Sequence, residues 1–198
     1  SDYRKPMSVA KAKKAISEMN KDYKAGKPFF HHWMTVSNHR PFTYPEGKID
    51  IPADSKSRKG GVKYTDYSIM KFFEMAQKQP WFKNTVFVIV ADHCSSSAGK
   101  TELPMDKYRI PAMIYAPEFV APQKFSQVTS QIDVMPTVLG LLNFKYQSKF
   151  LGQDVFSKNF VPRAYIATYQ DLGFIKDNYL TVISPTKNIK QYQLIQKP

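Results

Sequence analysis

Two side chains that could share a metal ion, Asp92 and His93, stand directly after Thr85–Ala91, the most uniformly apolar run of the chain. Such a run reads as a strand covered on both faces, and in open α/β sheets ligands gather beyond the carboxyl ends of strands. A carboxylate oxygen beside an imidazole nitrogen suits Zn²⁺ or Mn²⁺. Adjacent side chains on a strand point to opposite faces, so both can serve one ion only if the backbone leaves strand geometry at this point. The stretch Cys94-Ser95-Ser96-Ser97 permits that departure. On residue types alone, an Asp-His pair more often marks a turn or a hydrogen-bonded core feature, and both readings stay open. A second polar group, His39 with Arg40, lies in the loop Asn38–Pro45. His31 and His32 fall on opposite faces of an expected strand and read as structural, one in the core and one near a helix. Asp133 reads as a helix N-cap.

The elements that must carry these groups follow from periodicity. Between Ser8 and Ala25, the residues Val9, Ala12, Ile16, Met19 and Tyr23 recur at helical spacing, and Gly26 and Pro28 stop the helix. Pro28–Ser37 is aromatic and β-branched, which predicts a buried strand. Residues 46–61 mix Gly, Pro, Ser, Asp and Lys without period and read as an exposed loop. Ile69, Phe72, Phe73 and Ala76 then mark a helix closed by Pro80, Ile110–Ala116 a further strand, and Ile132–Leu142 a helix with Pro136 in its first turn. Beyond Gly152, short runs at 164–168, 173–175, 179–183 and 189–194, split by Asp-Asn and Ser-Pro turn signals, predict an antiparallel meander. Alternating strands and helices predict an α/β sandwich on a largely parallel central sheet. The expected division is 1–152 for the α/β domain and 153–198 for the small β subdomain.

Composition narrows the partners. At 198 residues, 42% apolar, the chain can bury a sizeable core and is not of the disordered class. A net charge of +13 favours an anionic partner, and because the lysines are scattered rather than blocked, a nucleic-acid tail is disfavoured. With one cysteine, Cys94, no disulfide can form within the chain. No apolar run approaches the roughly 20 residues that span a bilayer, so the chain is expected to be soluble, as a piece of something anchored could be.

The segment Val86–His93 resembles the metal-binding strand end of the alkaline-phosphatase/sulfatase superfamily, where a strand delivers Asp-His to the catalytic metal. Ser37–Phe42 resembles the substrate loop of its lipoteichoic-acid-synthase and phosphoglycerol-transferase branch. Tyr64-Thr65-Asp66, Pro80–Thr85, Arg109-Ile110-Pro111 and Ser130–Thr137 resemble that branch too, in the same order, so the likeness covers about residues 8 to 160. It implies an incomplete alkaline-phosphatase-like domain in which Asp92 and His93 are metal ligands, with Mn²⁺ or Zn²⁺ ahead of Mg²⁺ or Ca²⁺. It implies that His39 hydrogen-bonds the phosphoryl or headgroup oxygens, with Arg40 supplying a charge-assisted contact. The implied substrate is an anionic phospholipid or another phosphoester or sulfoester. The implied location is the outer face of the cytoplasmic membrane, anchored by helices outside this chain.

Two departures accompany the likeness. Cys94 stands where the family usually has glycine, and it lacks the Pro and Arg that accompany a sulfatase nucleophile. No segment matches the family's Thr or Ser nucleophile or its additional acidic ligands, and Ser95–Ser97 follow the ligands instead of opening a helix. The nucleophile is therefore expected upstream, the chain alone is expected to be inactive, and its partner is the upstream half of its own domain. An exposed sheet edge would then favour self-association. The competing reading is a basic, non-catalytic binding module with an eroded site.

Overall fold

The computed structural model describes residues 9–35, 38–95 and 103–194. They gather into two compact units, one ending at Thr85 and one starting at Val86. This division follows compactness, whereas the expected boundary at 152 marks where helix-and-strand alternation gives way to the meander.

In the first unit, α1 (Val9–Lys24) buries Ala12, Ala15, Ile16 and Met19, the stripe that the periodicity selects. Gly26, at φ 68°, ends it in the left-handed conformation that glycine adopts without a Cβ penalty. The second helix, α2 (Arg58–Ala76), packs on α1 and starts well before the apolar period does. Ser57 caps it, its hydroxyl accepting from the Gly60 N–H at 3.1 Å. The expected exposed loop over 46–61 is corrected accordingly at its end: Gly60 and Gly61 are buried inside the helix. Glycine is required at 60 because a Cβ there would run into the Tyr44 ring and hydroxyl. The indole of Trp81, itself buried, donates to Asn20 of α1 at 2.7 Å and ties the far end of α2 to α1.

The expected buried strand at Pro28–Ser37 does not form over the described residues 28–35. The segment keeps the alternation of a strand, with Phe29, His31 and Trp33 half-buried and Phe30, His32 and Met34 exposed, but no strand pairs with it among the described residues. Its aromatic rings dock edge-on instead, Phe29 on Trp81 and Trp33 on Phe72. Neither histidine is in the core. His31 pairs with Asp22 of α1 at 3.0 Å, as a residue near a helix, and His32 is exposed.

In the second unit, β1 (Phe87–Val90) pairs antiparallel with β2 (Ala112–Tyr115), Phe87 opposite Tyr115 and Val90 opposite Ala112. The 3-10 turn Gln131–Asp133 leads into α3 (Val134–Leu141), with Pro136 in its first turn as expected. Four strands follow as a meander: β3 (Ala164–Ala167), β4 (Leu172–Lys176), β5 (Tyr179–Ile183) and β6 (Ile189–Gln193). Asp177 and Asn178, at φ 49° and 64°, make the two-residue β4–β5 turn whose twist suits a hairpin. Ala164, Ile166, Ile175 and Leu180 close with Leu103 into the core of this sheet.

The mixed α/β make-up and the C-terminal antiparallel meander are as expected, but the two-stranded sheet is antiparallel too, so the expected parallel pairing is corrected among the described residues. That expectation counted a strand at 28–37, and its described residues form no ladder. Nor is β1 covered on both faces: Val88 and Val90 are each 38% exposed, on the side opposite Phe87.

Candidate metal centre

Asp92 and His93 lie two and three residues past the end of β1, on a bend. The backbone has left strand geometry there, which is the condition for neighbouring side chains to converge. Three interactions shape the bend. The His93 N–H donates to Asp92 Oδ1 at 2.9 Å. His93 Nδ1 lies 2.8 Å from the Cys94 carbonyl oxygen, an acceptor only, so Nδ1 carries the hydrogen. In the neutral ring Nε2 is then the basic nitrogen, and it stands 3.5 Å from Asp92 Oδ2. This is the arrangement in which a backbone carbonyl fixes a ligating histidine's tautomer. Both side chains are open to solvent, His93 at 56% and Asp92 at 72%.

The wall behind the bend comes from two later segments. The Ala91 N–H donates to the Pro111 carbonyl at 3.2 Å, and the Cys94 thiol donates to the Arg109 carbonyl at 3.1 Å. Arg109-Ile110-Pro111 thus supports the ligand turn through its backbone. From the other side, Gln131 Nε2 donates to the carbonyls of Ala91 at 2.9 Å and Asp92 at 3.2 Å.

Gln131 rides on a turn built around Asp133, which stands at the expected N-cap position of α3 but makes no side-chain cap bond to that helix. It is the third residue of a capping box opened by Ser130, whose N–H donates to Asp133 Oδ2 at 2.8 Å. Arg163 reaches the same carboxylate with both terminal nitrogens, at 2.7 and 2.8 Å, and the Gln153 N–H adds a bond at 2.7 Å. The side chains of Arg163 and Asp133 are 5% and 2% exposed. Burial alone would raise the Asp133 carboxyl, but Arg163 and the N–H groups of Ser130 and Gln153 outweigh it and hold the group below the usual carboxylate range. Gly152 completes the packing, its α-carbon lying so close to the Ile132 carbonyl that no Cβ would fit.

His39 and Arg40 share an exposed turn of the first unit. The Phe42 N–H closes it onto the His39 carbonyl at 2.9 Å. Thr65 Oγ1 donates to the Asn38 side chain at 3.0 Å, so Tyr64-Thr65-Asp66 and the Asn38–Phe42 segment meet on α2. Phe42 is buried beneath the Arg58 guanidinium, 5.1 Å from its ring, and the Tyr44 ring lies over that of Tyr64. The turn is thereby docked on the amino-terminal half of α2 with the His39 side chain outward. Ser37, Ser96 and Ser97 lie outside the described residues.

The donor set on the bend suits a divalent cation. It offers a carboxylate and an imidazole with its basic nitrogen defined, both solvent-accessible and adjacent. The place of Asp92 and His93, on a bend at the end of an apolar run, was open to a local reading of the sequence. Gln131 and Arg163 were not, since their partners lie 39 or 40 and 30 residues away in the chain. The only local hint was the Ser-x-x-Asp spacing at Ser130–Asp133.

Comparison with known proteins gives a consistent neighbourhood. Residues 7–144 match the sulfatase family model. Lipoteichoic acid synthase 2 of Bacillus subtilis (strain 168) is 27% identical over 177 residues, which are 79% of this chain and 27% of that protein. Lipoteichoic acid synthase of Staphylococcus aureus (strain USA300) is 25% identical over 206 residues, covering 89% of this chain and 30% of its own length. The chain thus spans less than a third of these curated relatives. A crystal structure of an alkaline phosphatase superfamily protein from Vibrio parahaemolyticus superposes with a TM-score of 0.87 at 28% identity, covering 99% of this chain and 53% of that one. No helix among the described residues is long and apolar enough to cross a membrane.

Proposed function

Because the chain belongs to the sulfatase family, we propose that it is the C-terminal portion of a metal-dependent enzyme that transfers or hydrolyses a phosphoester headgroup of the phosphoglycerol type. In this reading Asp92 and His93 hold the divalent cation. When bound, that cation supplies a positive charge against the phosphoryl oxygens. His39 donates to phosphoryl or headgroup oxygens, and Arg40 adds a charge-assisted contact. The basic surface, with its net charge of +13, suits an anionic lipid at the outer face of a cytoplasmic membrane.

The observation that carries the reading is the convergence of two metal-ligating groups on one exposed bend: His93 Nε2 lies 3.5 Å from Asp92 Oδ2, with Nδ1 facing the Cys94 carbonyl. The likeness to lipoteichoic acid synthases supports phosphoester over sulfoester chemistry, while membership of the sulfatase family keeps a sulfuric ester hydrolase or a phosphoethanolamine transferase as the second reading.

The test is made on the protein carrying this chain. Titration calorimetry should show Mn²⁺ binding that Asp92→Ala and His93→Ala each abolish, together with turnover of a phosphatidylglycerol-type lipid in preference to an aryl sulfate. If both variants bind Mn²⁺ and turn over substrate like the wild type, the ligand assignment is wrong. Faster turnover of the aryl sulfate would move the assignment to the second reading.

A further inference from the structure

An Asp-His pair at consecutive positions has a geometric difficulty: on a strand the two side chains face apart. The structure solves it by bending the backbone immediately after β1, and the bend has an identifiable clasp. The Gln131 carboxamide donates to two successive carbonyls, those of Ala91 and Asp92. These are the two peptide units whose rotation decides where the Asp92 and His93 side chains emerge. On the opposite side, the Ala91 N–H is fixed to Pro111 and the Cys94 thiol to Arg109. Gln131 therefore closes a clamp around residues 91–94.

We propose that Gln131 is a positioning residue for the ligand pair: its amide sets the peptide planes of Ala91 and Asp92, and through them the orientation in which Asp92 and His93 are presented. The clasp is anchored at its base. Gln131 sits at the first position of the turn whose third residue, Asp133, is locked in the interior by Arg163. The glutamine arm projects from that fixed turn into solvent and touches the bend without being part of the core. This geometry separates orientation of the ligands from stability of the fold. The proposal rests on the metal-site reading for its purpose, but its physical content is a property of the metal-free chain.

Two variants test it in the protein carrying this chain: Gln131→Ala, which removes the arm, and Gln131→Met, which keeps its length but no donor. The first readout is the ring-nitrogen NMR spectrum of His93 without metal. Wild type should show the single Nδ1–H tautomer, and both variants a mixture, because the Cys94 carbonyl no longer meets the ring at a fixed angle. The second readout is Mn²⁺ affinity by calorimetry, expected to fall roughly 10- to 100-fold, the range for loss of a group that orients a metal ligand. If both variants keep the single tautomer and wild-type Mn²⁺ affinity, the proposal is overturned. If the tautomer becomes mixed while even the wild type binds no Mn²⁺, Gln131 retains its positioning role and the metal reading is what fails.

Discussion

Two side-chain pairs of the second unit, each built on a carboxylate, differ in character. Asp133 and Arg163 meet in the interior, bidentate at 2.7 and 2.8 Å, with every carboxylate oxygen also serving a backbone N–H. Asp92 and His93 meet at the surface at 3.5 Å, more than half exposed, and both bond to backbone groups of their own turn. A saturated dry pair has no valence to offer a ligand, and removing one partner strands a buried charge. A pair more than half exposed to water adds little to folding. The contrast assigns stability to the interior pair and leaves the surface pair to the proposed chemistry, and it can be broken by measurement.

The largest expected effect is on the interior pair. Arg163→Met should destabilise the fold by about 3–5 kcal/mol, the cost of leaving a buried charge without its partner. Urea unfolding measures it, and a loss under about 1 kcal/mol would place the pair with ordinary surface bridges.

A smaller effect is acid sensitivity. Asp133 titrates lower folded than unfolded. Its contribution is therefore present above the unfolded carboxylate value of about 3.9 and is lost as pH falls through the lower folded value. Urea midpoints between roughly pH 5 and 2 should fall in the wild type, and Arg163→Met should lose that slope.

The smallest effect is the one the comparison most needs. Asp92→Ala should change the unfolding free energy by no more than about 0.5 kcal/mol, despite abolishing Mn²⁺ binding. A destabilisation as large as that of Arg163→Met would erase the distinction between the two pairs.

What sequence could and could not reveal has the same physical origin. α1 and the meander announce themselves because their signals are local: a 3.6-residue stripe ended by Gly26, and short β-rich runs broken by Asp177-Asn178. The start of α2 was hidden because Gly60-Gly61 mimics a loop, and glycine is there to let Tyr44 approach. The 28–35 segment has strand composition and even strand alternation, but ladder formation depends on a partner that composition cannot specify. Asp92 and His93 drew notice by their position after an apolar run, while the metal role came only from the family resemblance. Gln131 reaches them across the fold, and no window of neighbouring residues contains both ends of that hydrogen bond.

Cys94 is the single cysteine of the chain, and its part-exposed thiol lies one residue from His93, donating to the Arg109 carbonyl. The ligand turn therefore carries its own chemical address. A thiol-directed nitroxide or fluorophore would attach at one place in these 198 residues without any engineered substitution. A paramagnetic cation such as Mn²⁺, bound at the proposed site, would quench or broaden its signal. The same attachment breaks the Cys94 to Arg109 bond, so the label also loosens one jaw of the clamp it reports on.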